Sequence, residues 1–111
     1  MTSDRYTIKV LPPAKREIEE IAYVYFALSG PEAAKKITDR LRGSIESLAD
    51  NPKLGLVCKD KVLRIAGYRM LIVGNHLCFY RLIGECVFIS HIADSRTDYP
   101  RIFNEYNETQ D

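Results

Sequence analysis

The sequence predicts an α+β domain: an antiparallel pair of helices packed on a mostly antiparallel sheet, with a short C-terminal helix. Three observations predict it. A short alternating segment opens the chain, two stretches of helical periodicity follow with only a brief break between them, and a series of apolar runs punctuated by glycine turns completes it. With 111 residues, 46% hydrophobic and 28% charged, the chain is expected to bury enough apolar surface for one globular domain spanning 1–111.

The first segment, "YTIKV", puts Tyr6, Ile8 and Val10 on one side and predicts a strand. Pro12 and Pro13 end it and pre-set φ for the first turn of a helix. Ile18, Ile21, Ala22, Tyr25 and Leu28 then recur at helical spacing, with Lys15, Arg16, Glu19 and Glu20 largely off that stripe. "SGP" at Ser29–Pro31 breaks the helix. A second stripe, Ala34, Ile37, Leu41, Ile45 and Leu48, ends before "DNP" at Asp50–Pro52. So short a connection predicts an antiparallel hairpin of helices. After the loop "PKLGLVCKD", the runs "VLRI", "YRMLIV", "HLCFYRLI" and "CVFISHI" predict strands divided by Gly67, Gly74-Asn75 and Gly84-Glu85. Ile102, Phe103 and Tyr106 predict the short closing helix.

Two-residue turns fix a register. Val73 then faces His76, Leu71 faces Cys78, Arg69 faces Tyr80, Tyr80 faces Ile89, and Cys78 faces His91. One face carries Arg69, Leu71, Val73, His76, Cys78 and Tyr80, continuing through Leu82, Val87, Ile89 and His91; residues such as Tyr68, Met70, Phe79, Arg81 and Phe88 take the other. Both faces are apolar in their middles, and one helix hairpin covers one face. The second needs the C-terminal segment, a second copy or another chain.

Composition excludes several function classes. No apolar run is long enough for a membrane span, and "MTSDRYTIKV" has no secretory-signal pattern, so a cytoplasmic location without membrane association is expected. Cys58, Cys78 and Cys86 are odd in number, lack metal-ligand spacing and suit reduced thiols; no metal and no cofactor is expected. The net charge is +1, with an excess of +3 between Val57 and Arg101 and −3 from Ile102 onward, far from a nucleic-acid-binding stripe. Arg69, Tyr80 and His91 converge near strand ends, with Arg96 and Tyr99 just beyond in "HIADSRTDYP". Arginine can clamp a phosphate, and histidine or tyrosine can carry a proton. The structural alternative is ordinary: Tyr80 as a core aromatic, His91 satisfied locally, Arg69 and Arg81 paired with carboxylates, Asp94 and Asp98 as turn and cap residues.

The run "GYRMLIVGNHLCFYRLIGECVFISHIADSRTDY", preceded by two helices and "NPKLG", resembles the RelE/ParE superfamily of bacterial toxins from type II toxin–antitoxin systems. The resemblance covers nearly the whole chain, and "GYR…GNH…FYR" carries it. It implies a small cytosolic toxin that inhibits growth until a cognate antitoxin wraps it, in a toxin–antitoxin hetero-oligomer. It also implies one of two targets. ParE-like members inhibit DNA gyrase and are not known as nucleases. RelE-like members enter the ribosome and cleave mRNA, which would make this chain an endoribonuclease. In the second case the matching positions are Arg69 and Arg96 as phosphate contacts, with His91 or Tyr99 as proton carriers. Lys59, Lys61, Arg64 and Arg81 would bind target or RNA, and Leu71, Val73 and Tyr80 would face the antitoxin. The lysine pair of RelE falls here on Asp60 and Val62, with Lys59 and Lys61 out of phase, and its later tyrosine falls near Ile102. These departures favour the ParE-like branch.

Overall fold

The computed structural model describes residues 5–96, 100 and 103. Along the chain they form β1 (Thr7–Val10), α1 (Pro12–Ser29), α2 (Pro31–Ser47), β2 (Leu56–Val57), α3 (Lys61–Ile65), β3 (Tyr68–Val73), β4 (His76–Ile83) and β5 (Cys86–Asp94). The sheet order is β1-β5-β4-β3-β2, antiparallel except for the β1–β5 pair. This is the α+β class the sequence predicts. Of the expected closing helix, Ile102 and Tyr106 lie outside the described residues.

α1 and α2 each start on a proline, where the missing N–H costs nothing, and Gly30 separates the two at a φ of 91°. The stripe of α2 buries Ile37, Leu41 and Ile45, with Leu48 just beyond, against Leu71, Val73, Cys78, Tyr80, Val87 and Ile89 on one sheet face. Ile18, Ile21 and Tyr25 of α1 close the same core. Both hairpin turns are two residues long, and Gly74 and Gly84 take φ of 59° and 61°. No described non-glycine residue has positive φ, so Asn75 does not. A positive φ at the first central position only is the II′ pattern, which matches the right-handed strand twist.

The β3–β4 register is the expected one throughout. The β4–β5 register begins as expected, with Tyr80 opposite Ile89, and then shifts: Phe79 faces His91 and Cys78 faces Ile92, leaving Ser90 as the extra residue of a bulge. His91 therefore stands on the opposite face from the one predicted, and Ile92 joins the core under the helices. Past the bulge β5 has no β1 neighbour, because β1 ends opposite Ile89. Glu17 of α1 takes that place: its Oε1 accepts from the Ile92 N–H at 3.0 Å and lies 3.2 Å from His91 Nδ1.

"VLRI" is a helix, not a strand. The Asp60 carboxylate accepts from the Leu63 N–H at 3.0 Å, a capping bond that starts α3, and Gly67 ends the segment at a φ of 90°. Leu63 is thereby driven onto the second face of the sheet, beside Cys58, Leu77, Phe79, Ala93 and Phe103. Burying a leucine of this kind contributes about 1.5–3 kcal/mol, enough to override the strand preference of a short β-branched run. The second apolar face is thus covered within the chain over most of its middle, by α3 and by Phe103. Ile72 and Leu56 stay more than half exposed at its edge.

Gly55 has the least room of the glycines. A Cβ there would lie 2.7 Å from both Oη and Cε1 of Tyr80 and 2.9 Å from the Met70 carbonyl oxygen. Gly55→Ala is expected to lower unfolding free energy by about 1–3 kcal/mol in urea titrations. Gly43→Ala, in the middle of α2 with open space around it, is expected to raise it by about 0.5–1 kcal/mol. Equal effects of the two would contradict this packing.

Candidate functional site

The arginine of "GYR" and the tyrosine of "FYR" stand opposite each other on β3 and β4, on the helix-covered face. Tyr80 is fully buried; its hydroxyl donates to the Pro52 carbonyl at 2.8 Å and accepts from the Gly55 N–H at 2.8 Å. Arg69 donates from Nε to the Gly55 carbonyl and from its terminal nitrogen to the Lys53 carbonyl, both at 3.1 Å. Together the two side chains satisfy the main chain of the "NPKLG" loop that joins α2 to β2. Burial pushes the Tyr80 phenol above its ordinary value, opposed by the Gly55 N–H and by Arg69. The phenol stays neutral and able to donate to Pro52.

Arg96 lies elsewhere. It follows the end of β5, where Ser95 N–H bonds the Asn75 carbonyl of the β3–β4 turn at 2.8 Å. Arg69 pairs through Tyr80 with Ile89, so Arg96 is seven residues further along the strand direction, a separation of roughly 20 Å. Its exposed guanidinium forks onto Asp94 at 3.0 and 3.2 Å, and its N–H also bonds that carboxylate. Arg96 holds the Asp94 carboxyl at about 2, the role of a turn residue foreseen for that aspartate. Tyr99 and Asp98 lie outside the described residues. His91 is buried at 5% exposure on the other face of the sheet, between Glu17 and the Phe103 ring at 4.8 Å. The expected meeting of Arg69, His91 and Arg96 at one rim is therefore corrected: two faces and the length of the sheet separate them.

The other expected residues divide by burial. Lys59, Lys61 and Arg64 are exposed on or beside α3, with Arg64 donating to the Lys59 carbonyl at 3.2 Å. Arg81 lies over the Tyr68 ring at 4.8 Å. Leu71, Val73 and Tyr80 are at most 8% exposed beneath the helices, so they present no surface to an antitoxin in this conformation. That expectation failed because alternation tells which residues share a face but not which face the helices cover. A surface that sequence reasoning missed is the groove between α1 and the end of the sheet, about 570 Å³, lined by Ile21, Val24, Leu28, His76, Ile92 and Asp94 among others. Val24 and Leu28 are 50% and 79% exposed, with Tyr23 and Phe26 also open on the same helix. Four consecutive apolar positions, "YVYF", were the signal: one helix cannot bury all of them on one side.

Among the described residues no group of three His, Cys, Asp or Glu side chains is arranged to hold a metal ion, and no helix is long and apolar enough to cross a membrane. The cysteines are free thiols; burial pushes Cys78 up to about 12, and Cys58 is raised by burial and by Asp60. Both are poor nucleophiles at neutral pH.

His76, 6% exposed at the base of the groove, has its pKa lowered by burial, with Asp94 opposing and Arg40 reinforcing the shift. The unfolded chain binds that proton near the ordinary value and the folded chain resists it. The stability involved is complete above about 6.5 and is lost as pH falls through the lowered folded value. His76→Gln is expected to flatten the decline of the urea midpoint between about pH 7 and about pH 5. Parallel declines in wild type and variant would contradict this.

Comparison with known proteins bears directly on the "GYR…FYR" frame. The family model described as ParE toxin of type II toxin-antitoxin system, parDE, matches residues 8–99. Toxin ParE1 of Mycobacterium tuberculosis is 32% identical over 100 residues, covering 89% of this chain and 97% of that protein. Among solved structures, the chromosomal ParDE toxin–antitoxin system of P. aeruginosa aligns at a TM-score of 0.70 with 22% identity, covering 83% of this chain and 98% of that one. A chain of the RelBE2 toxin–antitoxin complex of M. tuberculosis aligns at 0.56 with 16% identity, covering 81% and 98%. The last two likenesses show a shared fold; the family match and the sequence identity go further, and the chain belongs to the ParE toxin family of type II toxin–antitoxin systems.

Proposed function

We propose that the chain stops growth as a ParE-type toxin, by binding DNA gyrase through a protein surface rather than by cutting RNA, and that a cognate antitoxin neutralises it. One observation carries the choice between targets: the Arg69 guanidinium spends its Nε–H and an N–H of one terminal nitrogen on main-chain carbonyls of its own fold. A phosphate clamp needs those N–H groups directed at the developing charge, where one preorganised donor is worth about 2.7–4 kcal/mol. Freeing Arg69 would leave the Gly55 and Lys53 carbonyls without its N–H donors. The separation of His91 and Arg96 from Arg69 supports the same choice among the described residues, since proton transfer needs heavy atoms within about 3 Å of the substrate.

The α1 groove supports the antitoxin part of the reading. Its apolar wall, Ile21, Val24 and Leu28, is open along a helix flank, and an amphipathic segment laid there would bury it. Membership of the ParE family supplies the expectation of such a partner.

Purified toxin is expected to inhibit supercoiling by gyrase in vitro and to leave ribosome-bound mRNA uncut in primer extension. Unimpaired supercoiling at saturating toxin, with discrete cuts in translated mRNA that disappear in Arg96→Ala, would replace this reading with the RelE-like one.

A further inference from the structure

The face of the sheet away from the α1–α2 hairpin carries a row of residues of which only Arg81 was expected at a target surface. Lys9 on β1 pairs with Phe88 on β5, Phe88 with Arg81 on β4, and Arg81 with Tyr68 on β3. Cross-strand partners share a face, so the four side chains form one line across four strands, cation and aromatic in alternation. Lys9 Nζ is 5.9 Å from the Phe88 centroid, and the Arg81 guanidinium carbon is 4.8 Å from that of Tyr68. Beyond Tyr68 the line meets Cys58, whose N–H bonds the Tyr68 carbonyl at 3.3 Å, and then α3 with its exposed Lys61 and Arg64.

Two features mark the row as unfinished. Neither Lys9 nor Arg81 is paired with a carboxylate among the described residues, and the Arg81 Nε is buried without a hydrogen-bond partner there. Stacking on Tyr68 fixes the guanidinium plane, so its terminal N–H groups are held ready at little entropic cost. The acidic residue closest to the band in sequence, Glu85 in the β4–β5 turn, makes no ion pair with Lys9 or Arg81, and Asp60 has its carboxylate engaged in capping α3.

We propose that this band binds an acidic segment of a partner protein, running across the strands, with its carboxylates on Arg81 and Lys9. Strands lie about 4.8 Å apart, so Lys9 and Arg81 stand two spacings, or roughly 10 Å, from each other. Carboxylates two turns apart on a helix, at about 10.5 Å, match that interval. A single-stranded nucleic acid fits less well, because sequence-tolerant binding of such strands draws on aromatic faces open to the bases. Here Phe88 and Tyr68 already have a cation over a face. The band lies on the face opposite the helix-covered core and does not depend on which target the toxin poisons.

The test uses the full chain and a fluorescent helical peptide carrying glutamate at two-turn intervals, with its glutamine counterpart and a single-stranded oligothymidylate as alternative probes. The glutamate peptide is expected to bind with salt-sensitive anisotropy, and the glutamine peptide not at all. Arg81→Gln and, independently, Lys9→Gln should each weaken it by roughly tenfold, the loss of one charge-assisted contact. Lys9 is exposed, so its variant separates binding from folding; Lys36→Gln, exposed on α2, should leave binding unchanged. Binding insensitive to both variants, or tighter binding of the oligonucleotide lost in the same variants, would overturn the proposal. Gyrase inhibition by Lys9→Gln is a separate readout and is expected to persist at the wild-type level when the antitoxin is absent.

Discussion

The fold turns on one buried hydroxyl. Tyr80 sits at the centre of the sheet with no exposure, and its phenol bonds both ends of the short loop between α2 and β2, donating to Pro52 and accepting from Gly55. A buried phenol without partners costs on the order of 1–3 kcal/mol, and so does each main-chain group it would leave unsatisfied. Arg69, directly across the strand pair, bonds two further carbonyls of that loop. The loop path in turn requires glycine at 55, since any Cβ would collide with the tyrosine. Helix hairpin and sheet are thus joined through a few charge-assisted and neutral hydrogen bonds around one aromatic ring.

That arrangement accounts for what several groups suited to catalysis do among the described residues. Arg69 and Tyr80 are consumed by architecture. Glu17 and the His91 ring are consumed by the missing half of a strand pair, where the carboxylate stands in for β1 against the Ile92 N–H. Arg96 locks onto Asp94 at the far end of the sheet. What the described residues leave exposed includes the apolar flank of α1 and, on the opposite sheet face, the Lys9 end of the cation–aromatic line. On the proposed reading as a binding toxin, two separate surfaces would let target and antitoxin be recognised by different chemistry.

Much of this was legible in the sequence where local rules and tertiary demands agree. Proline starts, the Gly30 break and the helical stripes fixed α1 and α2, and the Gly74 turn fixed the β3–β4 register, including the Arg69–Tyr80 pairing. Local rules failed where one hydrogen bond outweighs a pattern. Asp60 caps Leu63 and turns the β-branched "VLRI" into helix. Ser90 adds a residue to β5, and the spacing of three between Ile89 and Ile92, in place of two, is the trace it leaves. Strict alternation sent His91 to the wrong face for that reason. Leu71, Val73 and Tyr80 were expected at a partner surface because both sheet faces are apolar, and a sequence cannot say which the helices choose.

The most direct test of this account is a double-mutant cycle on Arg69→Gln and Tyr80→Phe, read as unfolding free energy in urea. If both side chains hold one loop, the two losses are expected to be non-additive, with a coupling of about 0.5–3 kcal/mol. Losses that add within about 0.3–0.5 kcal/mol would mean that the two residues act independently, and the loop clamp on which the fold is said to depend would not exist.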